Sequence, residues 1–375
     1  MNRGFYLTLM MGPFTASPVP QSVIDAVSEI QVTSTVGAQA GFQLKLTLGK
    51  QSPVQQLLQA GFFDPRTRVI IAVTVNGQTE VLMDGIITKQ DVTPGSGAGK
   101  STLTITGLDL TALMDFIDFT GIPYPALPMF VIVEIILAKY AVLGVIPLAI
   151  PPILALIQNP LERFLKQDGT DYAYVNTLAS KAGAVFYLDP GPKPGMSLAY
   201  WGPDLSKMFG GPQPAGSINF DATTNWDSFS ASYDGTLATQ YFVTIIEPNT
   251  KIPIPIPVPN LDILKAPLAA KAPTPLRSQQ LRPIANEDPI GAALAGLAAL
   301  FKTADVVSAS GQLDVLRYGH IFKARQLAAV RGAGTYYDGK YYVKSVTHNI
   351  KRGEYKQNFM LSRGGIGSSV STVSI

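Results

Sequence analysis

The stretch PGSGAGKST, residues 94–102, holds the residue types that cradle a nucleotide phosphate: glycines, a lysine and a following hydroxyl. A P-loop of the form GxxxxGK[ST] needs a glycine five positions before the second one, so that consecutive backbone N–H groups wrap the phosphates. Counting back from Gly99 lands on Pro94, whose ring removes a donor and resists the bend. A P-loop also leaves a buried strand and opens a helix. Here ITKQDV before the loop and TLTITGLDL after it both alternate with a period of two, Leu103, Ile105 and Gly107 on one face and Thr102, Thr104 and Thr106 on the other. Gly95, Gly97, Gly99 and Lys100 are therefore predicted to form the tip of a β-hairpin rather than a P-loop, with Lys100 a solvated charge on its rim.

Other chemistry has little material. The chain lacks cysteine, which excludes disulfides, thiolate catalysis and Cys-ligated metal or iron–sulfur sites. Its two histidines, His320 and His348, each stand alone in a strand-like segment, so a histidine metal centre or triad is not expected. Asp204, Asp221 and Asp227 are not paired at a spacing suited to general acid and base, and Trp226 beside Asp227 reads as core plus turn. No catalytic residue, cofactor or metal is expected. Net charge is +3, from 29 basic and 26 acidic residues, too small a field to attract nucleic acid or anionic lipid. Charged residues make up 15% of the chain against 46% hydrophobic, which leaves a protomer short of polar surface and points to burial in an assembly.

The elements that surround these residues are mainly β. From Gly4 to Asp115 the segments FYLTLMM, SEIQVTSTV, FQLKLTLG, RVIIAVTV, TEVLMDGIITKQDV and STLTITGLDL alternate and are rich in Val, Ile, Thr and aromatics. Asn76-Gly77 marks a hairpin, because both residues tolerate positive φ. The alternation of Phe5, Leu7 and Leu9, broken by Pro13, reads as a strand rather than a signal peptide. Six strands at short spacing suggest a barrel or sandwich.

Residues 130–161 run FVIVEIILAKYAVLGVIPLAIPPILALIQNPL, without charge from Tyr140 onward, which is long enough to span a bilayer. Pro147, Pro151, Pro152 and Pro160 each remove a donor that lipid cannot replace. A helix over 128–143 followed by a proline-broken segment packed in protein is expected instead. TDYAYVNTLASKA, residues 170–182, predicts a helix capped by Thr170 or Asp171 and ended by Gly183. Strands resume with AVFYLD, MSLAYWG, SINFDA, SFSASYD and QYFVTII. The alternate prolines of KIPIPIPVPN predict a polyproline-like strap, and residues 289–304 a short Ala-rich helix. Asp338-Gly339 and Arg352-Gly353 mark hairpins in a second β region.

The order of these elements resembles the late control D family of tail hub proteins, found in contractile phage tails and related injection systems. Four stretches carry the resemblance: LMDGIITKQDV with STLTITGLDLTALMD, TDYAYVNTLASKAGAVFYLDPG, LRYGHIFKARQLAAVRGAG, and YDGKYYVKSVTHNIKRGEYKQNFMLSRGG. The resemblance implies a homotrimer in which each chain supplies two similar β-barrel-like domains. Six such domains form a pseudo-sixfold ring that joins a sixfold inner tube to a threefold spike. The expected organisation is a first hub domain at 1–118, an apolar helical insertion at 119–190, strands returning to the β core at 191–248, a proline-rich strap at 249–290, and a short helix with a second hub domain at 291–375. After Gly365 only IGSSVSTVSI remains, so the spike is expected to be a separate polypeptide. Inner tube, spike and other baseplate proteins are the expected partners, with assembly in the cytoplasm. Ile254, Ile256, Val258, Tyr336 and Tyr337 are candidate subunit or partner contacts. Two other readings are a tail-associated cell-wall hydrolase and a membrane-anchored β protein.

Overall fold

The fold comes from a computed structural model, which describes residues 4–49, 52–95, 101–151, 165–204, 212–219, 221–246, 253–257, 268–271, 273–281 and 305–368. Alternation decides the first region. In β1 (Phe5–Gly12) Leu9 and Met11 are buried while Tyr6 and Thr8 face solvent. A two-residue edge, β2 (Ser17–Pro18), and a short helix, α1 (Gln21–Ala26), lead into β3 (Val27–Thr35) and β4 (Gly41–Leu48). Ser52 caps α2 (Pro53–Gln59) by accepting from the Gln55 N–H. Then come β5 (Arg68–Val75), β6 (Gln78–Thr93) and β7 (Ser101–Asp109). Asn76 and Gly77, between β5 and β6, take φ of 50° and 79°, the positive pair a two-residue hairpin requires. β6 and β7 pair antiparallel up to Thr93 and Thr102 on either side of the glycine-rich loop. Gly95 follows β6 as irregular chain, and Gly97, Gly99 and Lys100 lie outside the described residues.

The insertion begins with β8 (Pro123–Tyr124) and α3 (Met129–Ala138). That helix is shorter than the 128–143 expected from the sequence. A 3-10 turn follows at Ala141–Leu143, Gly144 takes a φ of 80°, and the chain straightens into β9 (Val145–Ala149). A left-handed glycine ends a helix, and Pro147 cannot continue one. β10 (Leu165–Lys166) pairs with β8. In α4 (Asp171–Ala182) Thr170 accepts from the Ala173 N–H and Gly183 closes the C-terminus at φ 64°, as the sequence predicts. β11 (Val185–Pro190) and β12 (Ser197–Gly202) pair antiparallel, with β9 parallel on the far side of β12. Ile132, Ile136, Val175, Leu178 and Trp201 pack together as the core of this insertion. No helix among the described residues is long and apolar enough to cross a membrane.

The remaining strands are β13 (Pro212–Ser217), β14 (Trp226–Tyr233), β15 (Thr239–Ile246), β16 (Pro253–Pro257), β17 (Ala269–Lys271) and β18 (Arg277–Leu281). After them come β19 (Val307–Asp314), one helical turn α5 (Val315–Tyr318), β20 (Leu327–Arg331), β21 (Gly339–Lys351), β22 (Glu354–Arg363) and β23 (Ile366–Ser368). Three details depart from the sequence pattern. SINFDA is mostly turn, because Asn219 and Asp221 adopt φ of 56° and 45°, and the strand sits earlier at β13. TYY is loop between Gly334 and Gly339, so β21 pairs instead with LAAVR of β20. The proline strap is a β-strand rather than a polyproline helix: β16 pairs antiparallel with β15. The Ala-rich helix expected at 289–304 lies outside the described residues.

The architecture is mainly β with an α-containing insertion, and the two β regions share one thirteen-stranded sheet. Its path runs β14-β19-β22-β21-β3-β4-β7-β6-β5-β1-β2, with β20 and β13 branching from β21. That path is open, so the barrel-like regions expected from the resemblance do not close into barrels among the described residues. β3 and β21 form the seam between the regions. One face of the seam buries Ile30, Val32 and Ile350, and the other pairs Gln31 with Asn349, Thr33 with Thr347, and Thr35 with Ser345 at 3.0–3.4 Å. A single hydrophobic core runs from Leu9 to Leu361 across both regions.

Candidate assembly surface

Most of the described residues that could do chemistry are held in structural contacts. His348 lies in β21, buried, its Nδ1 2.7 Å from the Tyr355 hydroxyl and 3.2 Å from Gln357 Nε2. Burial pushes its pKa down to about 3, so the ring is neutral at pH 7. His320 sits on an exposed bend after α5, not in the strand expected, beside a shallow cavity of about 240 Å³. There Lys323 is already paired with Glu80 at 2.8 Å. Asp204 accepts from the Tyr342 hydroxyl at 2.7 Å, Asp227 pairs with Arg317, and Asp221 opens a 3-10 turn. Burial, and then the Asp204 charge, push the Tyr342 hydroxyl far above its ordinary range. Trp226 is core, with its ring 4.4 Å from Phe359 and 5.8 Å from Phe322. Among the described residues no three His, Asp or Glu side chains converge to hold a metal.

A different cluster stands out once the fold is assembled. Arg68 of β5 and Asp84 of β6 form a buried bidentate pair, with Nε to Oδ1 at 2.8 Å and Nη2 to Oδ2 at 2.7 Å. Burial raises the Asp84 carboxyl above its ordinary value, and the Arg68 bonds pull it back. The guanidinium also donates to the carbonyls of Phe14, Leu143 and Gly195 at 3.2, 2.8 and 3.3 Å. One arginine thus ties three loops together: β1–β2, the turn before β9, and the β11–β12 connection. Each loop presents an apolar side chain to solvent at that point. Phe14 is 75% exposed, Val142 88% and Met196 39%. Ile146 and Leu148 of β9 are exposed as well. Water-exposed hydrophobes held in place by a buried ion pair have the character of a docking surface.

A second buried arginine joins the insertion to the seam. Arg325, at φ 61°, lies 4.4 Å over the Tyr187 ring and donates to the Ser34 hydroxyl at 3.2 Å and the Thr35 carbonyl at 3.4 Å. Tyr187 stacks on Tyr200 at 5.1 Å. The insertion is therefore anchored at two places on the main sheet.

No family model and no curated protein matches the chain by sequence. Among solved structures, the tail protein from Neisseria meningitidis MC58 is similar with a TM-score of 0.61 at 11% identity, over 97% of this chain and 98% of that one. The 43 kDa tail protein of prophage MuSo2 from Shewanella oneidensis gives 0.63 at 14% identity, over 96% and 99%. The E. coli c3393 protein, a component of the type VI secretion system, gives 0.54 at 12% identity, over 90% and 73%. The fold is that of phage tail proteins.

On this tail-protein fold the sequence-predicted contact residues that are described lie on β16 and on the loop before β21. Tyr336 is 45% exposed on the loop before β21, edge-on to Tyr337 at 5.0 Å, with its carbonyl accepting from buried Arg363. Ile254 and Ile256 lie in β16, and Val258 lies outside the described residues. The Arg68 cluster is a different set of residues, which the sequence pattern did not single out. The available signal was one charge in each of two otherwise apolar strands, RVIIAVTV and VLMDGII.

Proposed function

We propose that this chain is a structural hub of a contractile tail or injection-system baseplate: a homotrimer whose two β regions per chain build a pseudo-sixfold ring between a sixfold inner tube and a threefold spike. The observation that carries this reading is the likeness to two tail proteins over nearly the whole of both chains. The absence of a gathered catalytic set among the described residues, the low charge and the exposed apolar loops all favour a role in assembly. A closed ring needs surfaces that stay exposed on one protomer and are covered by the next. We place a neighbouring tail or baseplate chain on Phe14, Val142 and Met196, with Tyr336, Tyr337 and the strap residues Ile254, Ile256 and Val258 as further contacts. The glycine-rich tip at Gly95, Gly97, Gly99 and Lys100 is assigned to the hairpin, without nucleotide. Assembly in the cytoplasm and a role without catalysis belong to the same proposal.

The test is native mass measurement and electron microscopy of the chain co-expressed with the tube and spike proteins of a contractile tail from the same source. A trimer bridging the two is expected. A stable monomer in their presence would sink the proposal. In the same particles Lys100→Ala is expected to assemble normally, and ATP titration to give no heat.

A further inference from the structure

The prolines that fall within strands follow a rule. They lie in β2 (Pro18), β8 (Pro123), β9 (Pro147), β11 (Pro190), β13 (Pro212, Pro214) and β16 (Pro253, Pro255, Pro257), every one of them an edge of its sheet among the described residues. No described strand flanked on both sides by partners contains one. Proline lacks the N–H that a ladder needs, so an interior strand cannot hold it without losing a bond.

β16 carries the rule furthest. Its register places Pro253, Pro255 and Pro257 opposite Ile246, Thr244 and Phe242, and Ile254 and Ile256 opposite Ile245 and Val243. Antiparallel neighbours exchange both N–H···O bonds through alternate residue pairs only. The prolines cannot donate, so the bonded pairs are Ile254 with Ile245 and Ile256 with Val243. All three prolines then turn their backbones away from β15. The outer edge of β16 offers carbonyl acceptors and no donor over its whole described length. β9 shows the same device once. The Ser197 N–H donates to the Gly144 carbonyl and the Ile150 N–H to the Trp201 carbonyl, so even-numbered residues face β12 and Pro147 faces outward.

We propose that the proline run makes β16 a capped edge, a strand that completes its own sheet and is barred from pairing with a strand of a second copy of this chain. Exposed strand edges template edge-to-edge association, and removal of the donors on one side is a way to stop it. The spacing explains why the prolines alternate: consecutive prolines would also strip the donors that face β15. This inference concerns one edge and stands whether or not the chain is a tail hub.

Two measurements test it. In peptide-resolved hydrogen exchange, residues 253–257 contain only two exchangeable amides, those of Ile254 and Ile256. Both are expected to be protected at least tenfold relative to an unstructured peptide, and exchange at the unstructured rate would overturn the register. The second restores donors on the outer edge alone, with Pro255→Val and the triple change Pro253→Val, Pro255→Val and Pro257→Val. Sedimentation velocity and thioflavin T fluorescence are expected to show added concentration-dependent association, greater in the triple variant, with the circular dichroism of the wild type retained at low concentration. A Pro255→Val chain that keeps the wild-type spectrum and also the wild-type association across the concentration series would refute the cap. Ile256→Pro, which removes an inward donor, is expected to lose the protection at Ile254 without gaining association.

Discussion

His348 provides a test of the seam, because it stands on β21 where that strand bonds to β3. The ring is buried, its Nδ1 faces the Tyr355 hydroxyl, and Gln357 Nε2 is spent on the Phe322 carbonyl at 2.7 Å as well as on His348. A proton on Nδ1 would turn two donors toward one another and place a charge in a dry site. The folded pKa is accordingly down at about 3, against an ordinary 6.5. The sign follows from linkage: between these values the unfolded chain binds a proton that the folded chain refuses, so stability is complete above pH 6.5 and is lost as pH falls toward 3. The loss is about 1.4 kcal/mol per pH unit, or about 2.7 kcal/mol at pH 4.5. His348→Gln keeps an acceptor for Tyr355 and does not titrate. Urea unfolding followed by tryptophan fluorescence, run on both proteins at pH 7.0 and 4.5, isolates the effect from carboxylates common to both. Wild type is expected to lose about 2.7 kcal/mol more than the variant over that interval. Equal losses in the two proteins would show that His348 is solvated or already charged in the folded state.

Further outcomes follow from the same geometry. Arg68→Ala strands a buried carboxylate and frees three loops, so a loss of about 3–5 kcal/mol is expected in denaturant unfolding. Converting both partners to apolar residues, Arg68→Met with Asp84→Leu, is expected to cost less than either single change, which a double-mutant cycle measures. Phe14→Ser with Val142→Ser removes exposed apolar surface and no core contact; melting temperature is expected to stay within a few degrees while incorporation into particles falls severalfold. A Cβ at Gly216 would lie 2.1–2.5 Å from the Trp226 ring, so Gly216→Ala is expected to cost about 1–3 kcal/mol in thermal unfolding and to shift tryptophan emission to the red.

Much of the β pattern was legible because strands such as β4 and β7 are half-buried, and half-burial writes itself as alternation; β5 is buried on both faces and was marked instead by its Val and Ile content. β5 matches its predicted bounds at both ends and β7 differs by one residue. α4 was readable from its caps alone. What escaped was decided by register. Counted back from the Asn76-Gly77 turn, an uninterrupted ladder would set Ile70 opposite Met83 and put Asp84 on the face away from Arg68. The observed ladder slips by one at Leu82, so Ile71 meets Met83 and Ile70 meets Asp84. A one-residue bulge flips every side chain beyond it. That flip brings Asp84 onto the face of Arg68 and creates the ion pair, and with it the three-loop surface. Neither strand by itself contains a record of such a slip, because β5 and the middle of β6 are buried on both faces and read as apolar in either register.

The seam shows why two β regions separated by some 300 residues read as separate domains and fold as one sheet. Each region alternates on its own, and nothing local says that β3 and β21 pair. Once they do, the division of labour between the seam's faces is informative. Its inner face is apolar apart from His348 and Ser34, while its open face matches amide with amide and hydroxyl with hydroxyl, Gln31–Asn349, Thr33–Thr347 and Thr35–Ser345. Cross-strand pairs of this kind contribute only about 0.2–1 kcal/mol each, so the ladder sets register more than it sets stability. Register matters here because Arg325 reads it directly, donating to the Ser34 hydroxyl and the Thr35 carbonyl while its guanidinium rests on Tyr187 of the insertion. A slip at the seam would therefore displace the insertion as well. One continuous sheet carrying the insertion on two arginine anchors ties the exposed loops to the strand register, as the repeated contacts of the proposed ring would require and two separate barrels would not.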